Sequence, residues 1–185
     1  MGHLKSGPIS VAVGTQANFQ KYSDEFDEKS LNNEVFGNAG SSGGGRRENN
    51  AVFTEMSIPV LSNLELQLAG RYDHYSDFGD TVNPKAAILY HATNRLLLRG
   101  SAGTGFKAPL MTDLYAGKSI GYPSFIDLPS CNREKAAGGP TPACSPAQYE
   151  TRNSGNPGLK QETSVSYNAG AIYQPTTDFS FGSDV

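Results

Sequence analysis

Tryptophan is absent from the 185 residues, cysteine occurs only twice, and hydrophobic residues make up 37% of the chain. No apolar stretch approaches the roughly eighteen residues that a transmembrane helix needs, so spanning by helices is excluded. The formal net charge of -3, with Lys and Arg scattered, offers no basic patch and argues against nucleic-acid binding. Nor is there a run of convincing length at the 3.6-residue period, which a nucleotide-dependent α/β enzyme would require. Glycine, by contrast, is abundant at 21, and nine Tyr and nine Phe supply the aromatics.

What is present is alternation. Leu64-Glu-Leu-Gln-Leu-Ala-Gly-Arg-Tyr-Asp-His-Tyr75 sets Leu64, Leu66, Leu68, Gly70 and Tyr72 on one face, with Glu65, Gln67, Arg71 and Asp73 on the other. A period of two is the mark of a strand. Similar patterns run over Ile9 to Tyr22, Asn50 to Val60, Thr81 to Ala92, Arg95 to Phe106 and Glu162 to Gln174, and begin again at Asp178. Strands in soluble proteins are usually five or six residues long, whereas a tilted strand crossing a bilayer takes about nine to eleven. Short turns near residues 62, 93 and 176 fall at one end of these strands, and longer connections near 36, 78 and 134 at the other. Such sidedness belongs to outer-membrane barrels. The fold class expected is therefore all-β: antiparallel up-and-down strands of a partial transmembrane barrel, about seven of them, with long external loops. Seven strands would leave two open edges, which lipid does not tolerate. The chain is thus expected to be incomplete. Met1-Gly-His-Leu-Lys-Ser-Gly-Pro8 lacks an apolar signal core, and Asp178 to Val185 stops inside an alternating run, so both ends are expected to be truncated.

The chemistry-bearing residues are few. Cys131 and Cys144 lie in one Pro/Gly-rich stretch and read as a local disulfide in an oxidising compartment, worth on the order of 3 kcal/mol. The other readings are unpaired thiols or half of a metal site, for which no further Cys or His lies nearby. Gly103 to Ala108 fits a loose dinucleotide pattern, but Pro109 follows at once where a helix is required. The run Ser23 to Glu28 and the set Asp73, Asp77 and Asp80 read as solvated loop faces, and His3, His74 and His91 stand without spaced partners. No catalytic, cofactor-binding or metal-ligating set is expected, and no enzyme activity. The density of Gly and Ser between Asn38 and Arg47 predicts a mobile, unpacked loop. Aromatics such as Tyr72, Tyr75, Tyr90, Phe106, Tyr167 and Tyr173 suit interface girdles.

Three stretches in order carry a resemblance. They are Ala69-Gly-Arg-Tyr-Asp-His-Tyr-Ser-Asp-Phe-Gly79 leading to Asn83-Pro-Lys85, then Leu97 to Pro109 with Asp113-Leu-Tyr115, then Asn156-Pro-Gly-Leu-Lys-Gln-Glu-Thr163. Together the sequence resembles the barrel portion of the TonB-dependent outer-membrane receptors, with Gly103, Gly105, Phe106, Pro109, Asn156, Pro157, Leu159, Lys160 and Glu162 as the motif residues. The resemblance implies a wall segment of a plugged barrel in the outer membrane of a Gram-negative bacterium. Its partners would be outer-membrane lipid, a scarce solute at the external loops, and the TonB–ExbB–ExbD system acting through an N-terminal region not found in this chain. The solute class would be an iron–siderophore complex, cobalamin or an oligosaccharide. A secreted soluble β-rich binding module is the alternative; it predicts strands nearer six residues.

Overall fold

The structure is a computed structural model describing residues 3–32, 34–35 and 39–185. Seven strands dominate it: β1 (Ser10–Asp24), β2 (Gly43–Leu61), β3 (Leu64–Tyr75), β4 (Gly79–Thr93), β5 (Leu96–Lys107), β6 (Glu162–Thr176) and β7 (Phe179–Asp184). They form one sheet in which every neighbour in space is a neighbour in sequence, β7-β6-β5-β4-β3-β2-β1, an up-and-down meander. With 12 to 19 residues in β1 to β6, these strands are two to three times the soluble norm. Among the described residues no helix is long and apolar enough to cross a membrane, which says nothing of strands.

Register explains the faces. Leu68 stands opposite Met56 on one side and Ala86 on the other, and Tyr72 opposite Val52 and Val82. That row-by-row match builds an apolar face which is left uncovered: Val82 is 66% exposed, and Val52, Leu68, Tyr72, Ile88 and Leu98 are exposed too. Among the described residues of the sheet strands, the buried ones are Arg47, Asn49, Asp73 and Thr81 on the other face, with Ala51 beside them. A water-soluble fold has the opposite arrangement.

Each turn at one end is two residues long, at Ser62-Asn63, Asn94-Arg95 and Thr177-Asp178. Beside each of them the ladder slips, between Pro59 and Leu61, His91 and Thr93, and Tyr173 and Thr176. Bulges at such rims re-aim the chain and increase the local twist. The connections at the other end are longer, and the chain divides there into two compact units: residues 1–20, 47–109 and 160–185, and residues 21–46 with 110–159.

The second unit corrects two expectations. Strand β2 begins at Gly43, not Asn50, so the Gly-Gly-Gly-Arg-Arg run enters a ladder. The long connections, expected to be irregular, hold α1 (Glu28–Leu31), α2 (Met111–Tyr115) and α3 (Leu128–Ala137). A three-stranded sheet joins Thr151–Asn153, Ser119–Gly121 and Ala39–Gly40 in that order. Asn38, in the segment expected to be mobile, lies outside the described residues. The described glycines from Gly40 to Gly45 are packed, because they let backbones meet. A Cβ on Gly43 would stand 2.6 Å from the Tyr115 carbonyl oxygen, and one on Gly45 would run into the Tyr115 ring.

Candidate functional site

Two features offer themselves as functional surfaces: the polar face of the sheet and the unit formed by the long connections. On the polar face Arg71 forks onto Asp73, Nε to Oδ2 and Nη2 to Oδ1, both at 2.8 Å. The same guanidinium donates to Gln16 Oε1 at 3.0 Å and lies 5.8 Å from the centre of the Phe53 ring. Asn49 adds its amide to Asp73 Oδ1 at 3.3 Å, so a wholly buried carboxylate is met from two strands. Further along the face Arg99 pairs with Asp184 across Gly170, whose missing side chain leaves the gap through which they meet. Lys85 and Glu55 share this face with Gln67 and line an open recess of about 410 Å³. Neither Lys85 nor Glu55 is held in an ion pair among the described residues, and both are exposed.

The loop unit is stapled at several levels. Asp27 caps α1, accepting from the amides of Lys29 and Ser30 at 3.0 and 3.1 Å and from the Ser30 hydroxyl at 2.6 Å. Asp127 caps α3 through the Ser130 amide at 3.1 Å, and α3 ends at Gly138 with φ 69°. Cys131 and Cys144 are bonded, with their Cα atoms 4.7 Å apart, tying α3 to the turn Pro142–Cys144. Glu134 supports the same turn by accepting from the Ala143 amide at 3.0 Å. On the outside Phe125 stacks on Tyr149 with ring centres 4.4 Å apart, beside exposed Tyr122, Ile126 and Leu128.

The two capping carboxylates respond to acid. The Ser30 hydroxyl and then its amide hold Asp27 below the ordinary carboxylate range, and Ser130 does the same for Asp127. A depressed folded value means stability present above the ordinary Asp value of about 4 and lost as pH falls through the lower folded one. Acidification below about pH 4 is therefore expected to fray the starts of α1 and α3 before it alters the ladders. Amide exchange followed by mass spectrometry across residues 27–31 and 127–131 reads this directly; simultaneous loss of strand protection would contradict it.

Residues 3–185 match the family described as TonB dependent receptor-like, beta-barrel. The chain belongs to the TonB-dependent receptor family. It is 34% identical over 93 residues to the vitamin B12 transporter BtuB of Photobacterium profundum, covering 50% of this chain and 15% of that protein. Its fold is similar to the siderophore receptor PirA of Acinetobacter baumannii, at TM-score 0.66 and 20% identity, over 90% of this chain and 22% of PirA. It is also similar to a variant of the ferric enterobactin receptor PfeA of Pseudomonas aeruginosa in complex with enterobactin. There the TM-score is 0.70 at 21% identity, over 98% of this chain and 24% of that one. The chain thus spans under a quarter of the length of each of these relatives.

Within this TonB-dependent receptor barrel segment, the motif residues build loop roots. Gly103 leaves room for the stem of Lys85, whose Cβ and Cγ a side chain would meet at 3.2 Å, and Gly105 for the Ser164 hydroxyl at 3.1 Å. Phe106 sets its ring edge on Tyr75, centres 5.9 Å apart, so these two aromatics form an internal contact that the girdle expectation did not foresee. Asn156, Pro157 and Leu159 make a turn: the Asn156 side chain accepts from Gly158 at 3.0 Å and its carbonyl from Leu159 at 3.2 Å. The Asn156 amide in turn donates to the Asp113 carbonyl at 2.7 Å, joining two of the three resembling stretches. Lys160 follows that turn, and Glu162 faces Lys107 across an exposed 3.7 Å pair.

The aspartate set behaves otherwise than expected. Asp73 is fully buried, Asp77 is 6% exposed against Arg47, and Asp80 sits with His74 at 2.6 Å on the opposite face. Alternation places 73 and 80 in opposite registers of the pleat, so nearness in sequence hid their separation. His74, expected to stand alone, has that carboxylate as its cross-strand partner. Arg47 is a buried cation that the sequence does not mark, because an Arg-Arg pair after three glycines carries no signal of its own.

Proposed function

We propose that this chain forms part of the wall and two external loops of an outer-membrane receptor that takes up a scarce solute in a Gram-negative bacterium. The observation that carries this reading is the inverted sheet: one exposed apolar face, one polar face with buried charges, and long connections at one end only. Along β3 the apolar face runs from Leu64 to Tyr72. At about 3.3 Å per residue and a tilt near 40° it is roughly 21 Å tall, close to the apolar band of such barrels. His74 and Asp80 begin a polar row just beyond it, where head groups would lie.

In this reading residues 1–185 are a partial barrel domain, and a plug is supplied elsewhere in the receptor. The polar face lines the lumen, and the loop unit meets the solute. An iron–siderophore complex, cobalamin or an oligosaccharide would be the cargo, with TonB–ExbB–ExbD as the energy source. The named relatives, a vitamin B12 transporter and siderophore receptors, support transport over catalysis.

An antibody to the loop from Gln148 to Gln161, applied to intact and to fractionated cells of the source organism, tests the reading. Binding at the surface, with an outer-membrane band several times heavier than 19.7 kDa, is the expected result. A band near 19.7 kDa in the soluble or secreted fraction would overturn it.

A further inference from the structure

One buried cation on the polar face makes contacts that a simple ion pair does not need. Arg47 is 5% exposed and is the fifth residue of β2, near the end of that strand that follows the first long connection. Its Nε donates to Asp77 Oδ2 at 2.7 Å, in the three-residue connection between β3 and β4. Its Nη2 donates to the Pro109 carbonyl at 2.8 Å, two residues past the end of β5, where the longest loop begins. The guanidinium also lies 5.6 Å from the centre of the Tyr75 ring and 5.5 Å from that of Phe78, which stack on each other at 4.4 Å. A planar fork can satisfy a carboxylate and a carbonyl in one plane while its face rests on aromatics; an ammonium cannot.

The positions reached are informative. The chain leaves the loop unit between residues 46 and 47 and enters it again between 109 and 110. Arg47 and Pro109 are the last residues on the sheet side of those two crossings, and they are hydrogen-bonded to each other. Two further hydrogen bonds tie the third root to the same place: Ser76 donates its amide to the Glu48 carbonyl, and the Glu48 amide donates to the Ser76 hydroxyl, both at 3.0 Å.

We propose that Arg47 is a positioning residue that latches the roots of three external connections, so that the two long loops leave the sheet from fixed points. The latch deepens the proposed receptor function and rests on it for its purpose, since loops that recognise a solute need fixed origins. Its existence does not depend on transport. A substitution that keeps the charge while losing the fork loosens the Pro109 root and leaves the strands paired.

The test uses the intact protein in detergent micelles. A nitroxide is placed at Leu110→Cys, which is exposed, with a control label at Leu61→Cys on the opposite rim. Cys131 and Cys144 are bonded and no described cysteine is free, so within this segment the added thiol is the site that takes the label. In an Arg47→Lys background the mobile fraction of the spectrum at 110 is expected to rise at least twofold. The spectrum at 61 and the thermal transition should stay as in the parent. Asp77→Asn, which retains an acceptor oxygen, should give a smaller rise at 110. An unchanged spectrum at 110 in both backgrounds, or an equal rise at 61, overturns the latch. If Arg47→Lys shifts the thermal transition, the Asp77→Asn spectra decide by the same criterion. No solute enters the measurement, so a failed latch leaves the transport reading standing, and a soluble protein in the cell fractions would leave the latch untouched.

Discussion

Gly117→Val will part the two long loops of the second unit while the seven-stranded sheet stays paired. At Gly117 the two loops meet closely: a Cβ there would collide with the Ser41 carbonyl, and the next nearest atoms are also backbone. A flexible side chain could swing away, but backbone held by its own bonds cannot. Those bonds are close at hand, with Ser41 donating to the Lys118 carbonyl at 2.7 Å and Lys118 to the Ser41 hydroxyl at 2.8 Å. Gly155 is equally constrained, its Cβ direction blocked 2.6 Å away by the Leu114 carbonyl. Overpacking alone costs about 1–3 kcal/mol, and the two hydrogen bonds it displaces contribute about 1 kcal/mol each. The joint is thus expected to lose roughly 3–5 kcal/mol, enough to open it. Hydrogen exchange should rise steeply over residues 39–45 and 117–121 and stay unchanged across 64–75. Protected amides at 117–121 in the variant would refute the argument.

Arg71→Ala is expected to destabilise the sheet more than Asp73→Ala, although the two residues form one ion pair. Asp73 has no exposed side chain, whereas that of Arg71 is 33% exposed. Removing the arginine leaves a buried carboxylate with, among the described residues, the Asn49 amide alone, at 3.3 Å. Removing the aspartate leaves a guanidinium that still has Gln16 at 3.0 Å and access to water. Breaking a buried pair costs about 3–5 kcal/mol when the survivor stays buried, and correspondingly less when it can be solvated. Arg71→Ala should fall in that range and Asp73→Ala at about 2 kcal/mol, with Asp73→Leu milder still if the shape is kept. Denaturant unfolding of the intact protein in micelles gives the comparison. Equal losses would mean that the charge left behind does not set the cost.

Both arguments rest on contacts that alternation in a sequence cannot convey. The period of two was enough to place β3 at Leu64–Tyr75 and to assign its faces, since that information is local. Turn position followed from breaks in the pattern, within a residue or two. The start of β2 at Gly43 was hidden because glycine has two opposite uses: freedom in an open loop, and close approach in a packed one. Only the partner backbone, about 70 residues further along the chain, distinguishes them. The disulfide between Cys131 and Cys144 could be anticipated from two thiols in one polar stretch. The Arg47 contacts could not, because they join positions 47, 77 and 109 that no spacing rule relates.

The order of the sheet also bears on how such a wall can diversify. Between Lys107 and Glu162 the chain makes an excursion far longer than the one between Asp24 and Gly43, yet both return to an adjacent strand. Closing a loop grows costlier only with the logarithm of its length, by about 0.6 kcal/mol for each doubling. Tripling the excursion therefore raises the entropic penalty by only about 1 kcal/mol, less than a single good side-chain contact returns. Insertions at these rims are close to free, whereas an insertion within a strand would flip every side chain beyond it to the wrong face. Evolution can lengthen and refashion the loops almost without limit while the strands that carry them hold still.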